Sequence, residues 1–293
     1  MAPRFYVDCD FQPDSTLVLP EKPAHHASRV LRMREGDSAV LFDGRGNEAQ
    51  CILHFFSDRT EANILSVAPS HTESPLKTVL IQALVSQEKL DWILEKATEL
   101  GVSKLVIVPA ERSVTKLDAK RLEKRLSQWK NTVQSACEQC ARSLIPNVQY
   151  CDQLQIALIE NKSERNLVLA PAAQKSFYLG NSQSVTFAVG PEGGFSAQEI
   201  ELANTLGYES ALLGPRVLRT YTAIPASLPS AQCHCRDFRS NNIPSYYWKT
   251  NYLPRLVITV IKADSHIVLI CTNILVLSSS FHRATSPTFT LNP

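Results

Sequence analysis

The chain has 293 residues, 44% of them hydrophobic and 20% charged, enough apolar side chain for a sizeable core and about two domains. That composition excludes a wholly disordered protein or a coiled coil, and a formal net charge of +2 is too mild to announce nucleic acid by itself. The charge is unevenly placed: residues 1–74 carry seven basic side chains against eleven acidic ones, residues 75–150 twelve against eight, and residues 239–293 five against one. Any anion-binding face is therefore local.

The opening run MAPRFYVDCDF has no basic segment followed by an apolar one, and it is acidic where a transit peptide is basic. The expectation is a cytoplasmic protein with reduced thiols. In the first 70 residues, short apolar runs at 17–19, 39–42, 51–53 and 62–65 are separated by Gly36-Asp37, Asp43-Gly44-Arg45-Gly46 and Ser57-Asp58-Arg59. Regularly spaced short strands of this kind predict a small β-barrel over residues 1–72. The stretch from Ala68 to Pro75 has linker composition and sets the domain boundary.

From Lys77 the rhythm changes. Residues 78–84 predict a buried strand and 88–100 a helix, with Leu90, Ile93, Leu94, Ala97 and Leu100 on one face and Gly101 just past its end. A strand at 105–108 precedes a long helix over about 118–141, buried through Leu122, Leu126, Trp129, Val133 and Cys137. Further strands fall at 167–169 and 185–189. Ser196 and Glu199 are spaced as a capping box opening a helix that stops at Leu206-Gly207, and 210–213 is the last clear strand. This alternation predicts an α/β domain over 75–238, a mostly parallel sheet covered by helices. Residues 239–293 show no helical period or motif and are assigned no fold. Within them, residues 256–277 are apolar but carry Lys262, Asp264, His266 and Asn273, which reads as two short strand-like runs and not a membrane span.

In open parallel sheets, ligands sit at the carboxyl ends of the strands. Three loops leave strand ends here: Leu169-Ala170-Pro171, Gly190-Pro191-Glu192-Gly193-Gly194-Phe195, and the run from Gly214 to Arg219. Glycines at 190, 193 and 194 let the backbone approach a ligand closely and expose N–H groups to it. The spacing fits neither a P-loop nor a dinucleotide fingerprint; taken alone, Pro-Glu-Gly-Gly is also an ordinary tight turn. Cys137-x-x-Cys140 with Cys233-His234-Cys235 offers enough ligands for a tetrahedral zinc. Cys137, however, lies on the apolar face of its helix, so the cysteines read as structural thiols and no metal is expected.

The string Val189-Gly-Pro-Glu-Gly-Gly-Phe-Ser-Ala-Gln-Glu-Ile200, followed by Leu213-Gly-Pro-Arg-Val-Leu-Arg-Thr220, closely resembles the signature of the RsmE family. Its members are small-subunit (16S-type) ribosomal RNA uridine-N3 methyltransferases of the knotted SPOUT class. His25-His26 with Val30-Leu31-Arg32, Phe42-Asp-Gly-Arg-Gly46, Lys96-Ala-Thr-Glu-Leu-Gly-Val102, Glu111-Arg112-Ser113 and Glu138-Gln-Cys-Ala-Arg142 agree with it. The resemblance runs from about Arg4 to Phe238 and leaves out the last 55 residues.

What the resemblance implies is a PUA-like β-barrel for RNA, then a trefoil-knotted SPOUT (α/β knot) methyltransferase domain that binds S-adenosyl-L-methionine. It further implies a homodimer with the active site at the subunit interface and ribosomal RNA of the small subunit as partner, with no DNA and no membrane. Carried over by position, cofactor contacts fall at Leu169, Ala170, Pro171, Gly190, Gly193, Gly194, Leu213, Gly214 and Leu218. Uracil N3 must lose its proton, which spreads negative charge onto O2 and O4, and a guanidinium aimed there stabilises the anion. Arg216 and Arg219 are the catalytic candidates, with structural ion pairs as the alternative. Arg29, Arg32 and Arg34 in the barrel, and Arg112 and Arg142 in the second domain, suit phosphate contacts; for the barrel arginines a solvated surface is the alternative.

Two departures stand out. Where the family usually has glutamate before Thr-Ala, this chain has Tyr221, whose phenol stays protonated near neutral pH and orients an arginine or takes a proton less well than a carboxylate. The terminal helix expected after Thr222 is interrupted by Pro225 and Pro229. With Thr222 as cap, Pro229 is interior at a cost of about 3 kcal/mol, so the helix must kink, start later at Ser227 or Ser230, or fail to form. These departures leave a catalytically inactive RNA-binding relative as the alternative to an enzyme.

Overall fold

The computed structural model describes residues 2–115, 117–176, 178–233, 256–263 and 266–273. The first 70 residues form β1 (Arg4–Tyr6), β2 (Thr16–Val18), α1 (Glu21–His25), β3 (Ser38–Phe42), β4 (Asn47–Phe55) and β5 (Thr60–Pro69), with a wide helical turn at His26–Val30. The strands pair in the order β1-β3-β4-β5-β2, with β1 parallel to β3 and the other pairs antiparallel. Alternation sets the buried face: Ala49, Cys51 and Leu53 of β4 point inward and meet Phe5, Leu41 and Ile64. Neither β1 nor the helical stretch between β2 and β3 was legible in the sequence, because each is short and lacks a sustained apolar period.

The expected linker is pinned. Thr72 Oγ1 donates to the Ala141 carbonyl at 2.9 Å, and the Glu73 carboxylate accepts from the Leu144 N–H at 3.3 Å. Arg4 Nη2 donates to Ser143 Oγ at 2.7 Å, and Ser143 Oγ donates to Glu48 at 2.8 Å. Phe42 at the end of β3 is buried in the core of the second sheet. Both sheets accordingly lie in one compact unit, Met1–Ser240, while Asn241–Pro293 forms another.

The α/β part contains β6 (Lys77–Ala83), α2 (Gln87–Glu99), β7 (Lys104–Val108), α3 (Ala119–Cys140), β8 (Asn147–Tyr150), α4 (Leu154–Glu160), β9 (Arg165–Leu169), β10 (Ser184–Val189), α5 (Ala197–Thr205), β11 (Glu209–Ala211) and α6 (Thr220–Gln232). Its strands are all parallel, in the order β11-β9-β10-β6-β7-β8. Successive strand residues face opposite layers, as a sheet covered on both sides requires. Leu80, Leu105 and Phe187 pack with α2, α3 and α6, whereas Ile81, Val106 and Ala188 pack with α4 and α5. Asp118 caps α3 by accepting from the Arg121 N–H at 2.8 Å. Ser196 and Glu199 form the expected capping box on α5. β8 escaped the sequence reading because only Val148 of its four residues is buried.

The terminal helix corrects the sequence reading. Its N-cap is Arg219, not Thr222, and α6 runs from Thr220 through both prolines to Gln232. A late start and a failure to form are both excluded. Pro225 and Pro229 carry no N–H, so two carbonyls one turn earlier lose their helical donors. Burial of Ala223, Ile224, Leu228 and Ala231 against the core offsets that loss. The family-like residues Arg236 to Phe238 lie outside the described residues. In the second unit, β12 (Leu256–Ala263) and β13 (His266–Asn273) pair antiparallel, the two strands that the sequence suggested. Among the described residues, no helix is long and apolar enough to cross a membrane.

Candidate active site

Strands β9, β10 and β11 end side by side, and the loops leaving them wall a cavity of about 400 Å³. Eight of the nine expected cofactor positions line it: Leu169, Ala170, Pro171, Gly190, Gly193, Gly194, Leu213 and Leu218. Gly214 does not, but its φ of +88° makes the turn that aims the following segment at the cavity. Gly190 is obligatory for a different reason: a Cβ there would lie 2.5 Å from the Phe195 nitrogen and 2.8 Å from the Gly194 carbonyl carbon. The loop folds back on itself so tightly that a methyl group has no place.

That loop is held from several elements. Thr220 Oγ1, at the start of α6, donates to the Gly190 carbonyl at 2.7 Å, and Gln82 of β6 reaches Thr220 Oγ1 at 3.4 Å. Lys89 of α2 pairs with Glu192 at 2.9 Å. Burial raises the Glu192 carboxyl, but hydrogen bonds from Lys89 and backbone N–H groups outweigh it and hold it below its ordinary value. Glu199, besides closing the capping box, accepts from the Glu111 N–H at 2.8 Å and so ties in the loop after β7. Sequence reasoning missed Thr220, Gln82 and Lys89, because each comes from an element distant in the chain.

The arginines divide into three groups. Arg216 lines the cavity, while Arg219 stands just outside it and donates to Tyr221 Oη at 3.1 Å. Among the described residues neither has an ion-pair partner, so neither is a structural ion pair within them. Arg112, expected to meet phosphate, lies in the cavity wall and donates to the Gly193 carbonyl at 2.9 Å. Arg29, Arg32 and Arg34 are exposed beside Val30 and Leu31, whose side chains are 59% and 45% exposed.

Arg142 requires a correction. It is only 3% exposed, and its guanidinium donates to Glu73 at 2.7 Å and to the Thr98 and Val102 carbonyls at 2.9 Å. Its donors are spent inside the protein, so it is a structural residue and not a phosphate contact. Among the described residues Cys9, Cys51, Cys137, Cys140 and Cys151 form no disulfide, and burial pushes the Cys137 thiol up to about 12. Among the described residues no three His, Cys, Asp or Glu side chains are grouped to hold a metal; His234 and Cys235 lie outside them.

Residues 72–232 match the model of an RNA methyltransferase domain, and residues 19–54 that of an RNA methyltransferase PUA domain. The ribosomal RNA small subunit methyltransferase E of Bacillus subtilis is 32% identical over 222 residues, 71% of this chain and 86% of that protein. Two solved structures are similar over 80% of this chain and 98% of theirs. A methyltransferase from Legionella pneumophila, in complex with the cofactor SAM, has 34% identity and a TM-score of 0.76. A ribosomal RNA small subunit methyltransferase E from Neisseria gonorrhoeae, bound to S-adenosyl methionine, has 35% identity and a TM-score of 0.73. With these motifs on three adjacent strand ends of one parallel sheet, and with this extent of likeness, the chain belongs to the ribosomal RNA small subunit methyltransferase E (RsmE) family of RNA methyltransferases.

Proposed function

We propose that the chain methylates a uridine of small-subunit ribosomal RNA at N3, using S-adenosyl-L-methionine, as a cytoplasmic homodimer. The observation that carries this reading is the convergence of the 169–171, 190–194 and 213–218 loops on one cavity at the carboxyl ends of a parallel sheet. The cavity suits the cofactor. Its volume of about 400 Å³ falls in the range of small-molecule sites. Leu169, Ile200, Leu213, Leu218 and Ala223 give an apolar lining for an adenine ring, and the glycine backbone admits close polar contact.

When bound there, the cofactor supplies an electrophilic methyl group. The chain's own residues position and stabilise. The braced 190–194 loop fixes one wall, and orientation alone supplies much of the rate in such transfers. Arg216 at the cavity wall and Arg219 beside it offer positive charge to the uracil oxygens as N3 loses its proton. Arg29, Arg32 and Arg34 contact phosphate from beside the five-stranded sheet, and Arg112 serves the cavity wall first. The return of the chain from β11, at one edge of the sheet, to α6 against α2 and β10 near its middle supports a knotted path. The five-stranded sheet is read as a PUA-like barrel; neither DNA nor membrane is a partner.

The test is complementation. Expression in a bacterial strain lacking its own enzyme restores N3-methyluridine to 16S ribosomal RNA; absence of the modified nucleoside, with protein present, refutes the reading. A second reading, a catalytically inactive RNA-binding relative, is favoured by one observation: Tyr221, where the family resemblance implies glutamate, takes a hydrogen bond from Arg219. Activity appearing only in Tyr221→Glu supports that reading.

A further inference from the structure

Arg219 is exposed, and an exposed arginine ordinarily samples many rotamers and loses side-chain entropy when fixed. Here the side chain has a defined seat. Nη1 donates to Tyr221 Oη at 3.1 Å, and the guanidinium carbon lies 6.0 Å from the centre of the same ring. The seat itself is packed: the Tyr221 ring is half-buried against the main core of the α/β part. Trp92 of α2 meets it edge to face, with centroids 5.9 Å apart and planes at 79°. Trp92 is 39% exposed, a large apolar group at a helix surface whose observed ring partner is Tyr221.

The chemistry of this seat differs from that of an ion pair. A phenolic oxygen accepts a hydrogen bond without bringing a formal negative charge. Arg219 is therefore oriented while its charge stays uncompensated, since no carboxylate pairs with it among the described residues. A carboxylate at position 221 would orient the arginine too, but would cancel much of the field it can offer a developing anion. We infer that Tyr221, buttressed by Trp92, is a positioning residue that holds Arg219 for methyl transfer while leaving its positive charge available. The inference rests on the reading of the chain as an active methyltransferase, and on Arg219 acting in that reaction.

The experiment uses the full chain, S-adenosyl-L-methionine and small ribosomal subunits from a methylation-deficient strain. It compares the wild type with Tyr221→Phe, Trp92→Ala, Arg219→Ala and the double variant Arg219→Ala/Tyr221→Phe. Calorimetric cofactor affinity and melting temperature report that each variant is folded. Tyr221→Phe keeps the ring and loses the acceptor, so kcat is expected to fall about tenfold, the scale of one hydrogen bond to a charged group. Cofactor affinity should stay within about twofold, because Tyr221 does not line the cavity. Trp92→Ala should lower kcat in the same direction. In the Arg219→Ala background, Tyr221→Phe should have no further effect, because tyrosine acts through the arginine.

Wild-type kcat in Tyr221→Phe overturns the inference, and so does an undiminished loss in the Arg219→Ala background. A Tyr221→Glu variant faster than the wild type overturns it as well. Absence of turnover in the wild-type chain overturns the proposed function beneath it, whereas turnover indifferent to Tyr221→Phe overturns this inference alone.

Discussion

Gly190→Ala tests the geometry of the cavity more sharply than any arginine substitution. The added methyl would sit 2.5 Å from the Phe195 nitrogen and 2.8 Å from the Gly194 carbonyl carbon. Ordinary contacts begin near 3.4 Å, and both obstacles are backbone, so relief requires the 190–195 loop to open. Overpacking of this kind costs about 1–3 kcal/mol, equivalent to roughly five- to 150-fold in an affinity constant. Gly193→Ala is the matched control, since its methyl meets only the Arg112 side chain at 3.4 Å. Calorimetry with S-adenosyl-L-methionine should show at least fivefold weaker binding for Gly190→Ala and a change under about threefold for Gly193→Ala. Wild-type affinity and melting temperature in Gly190→Ala would refute the argument that the loop is closed on itself at this point.

Three further predictions follow from the fold. Arg142→Ala removes the partner of Glu73 and of two carbonyls, so urea denaturation should show a loss of about 3 kcal/mol; weaker RNA binding at unchanged stability would contradict its structural role. Pro229→Ala restores a backbone donor inside α6 and should stabilise by about 2 kcal/mol, the helix-interior cost of proline less its restraint of the unfolded chain. A neutral or negative effect would contradict a helix running through that position. The pH dependence has two limbs. Burial alone would raise the Asp43 carboxyl, but hydrogen bonds from the Asn47 side chain and from the Asn47 and Arg45 N–H groups hold it below its usual value. Its contribution is present above the ordinary carboxylate range and lost as pH falls through the depressed value. Cys51, pushed up to about 12 by burial, stabilises below the ordinary thiol range and loses that contribution as pH rises toward about 12. Denaturation curves across pH should flatten at the acid end in Asp43→Asn and at the alkaline end in Cys51→Ala.

The α/β half was legible because its signals are local. Gly101 ends one helix and Ser196 with Glu199 opens another, each within a few residues of chain. The three cavity loops were legible for the same reason, as turns directly after apolar strands, one of them glycine-rich. What failed to show was long-range. Arg142 read as a phosphate contact because nothing nearby in sequence names Glu73, 69 residues away, as its partner. α6 read as broken because proline penalties are local, whereas the buried face of Ala223, Ile224 and Leu228 that offsets them is tertiary. The braces Lys89 and Gln82, which support the glycine loop from other elements, likewise carry no local signature.

The most direct measurement supplies isotopically labelled S-adenosyl-L-methionine to the purified chain with small ribosomal subunits from a methylation-deficient strain, then separates the digested nucleosides of the RNA. The account predicts label in N3-methyluridine, abolished by Arg216→Ala together with Arg219→Ala. Unlabelled RNA, or label in any other nucleoside, would contradict it.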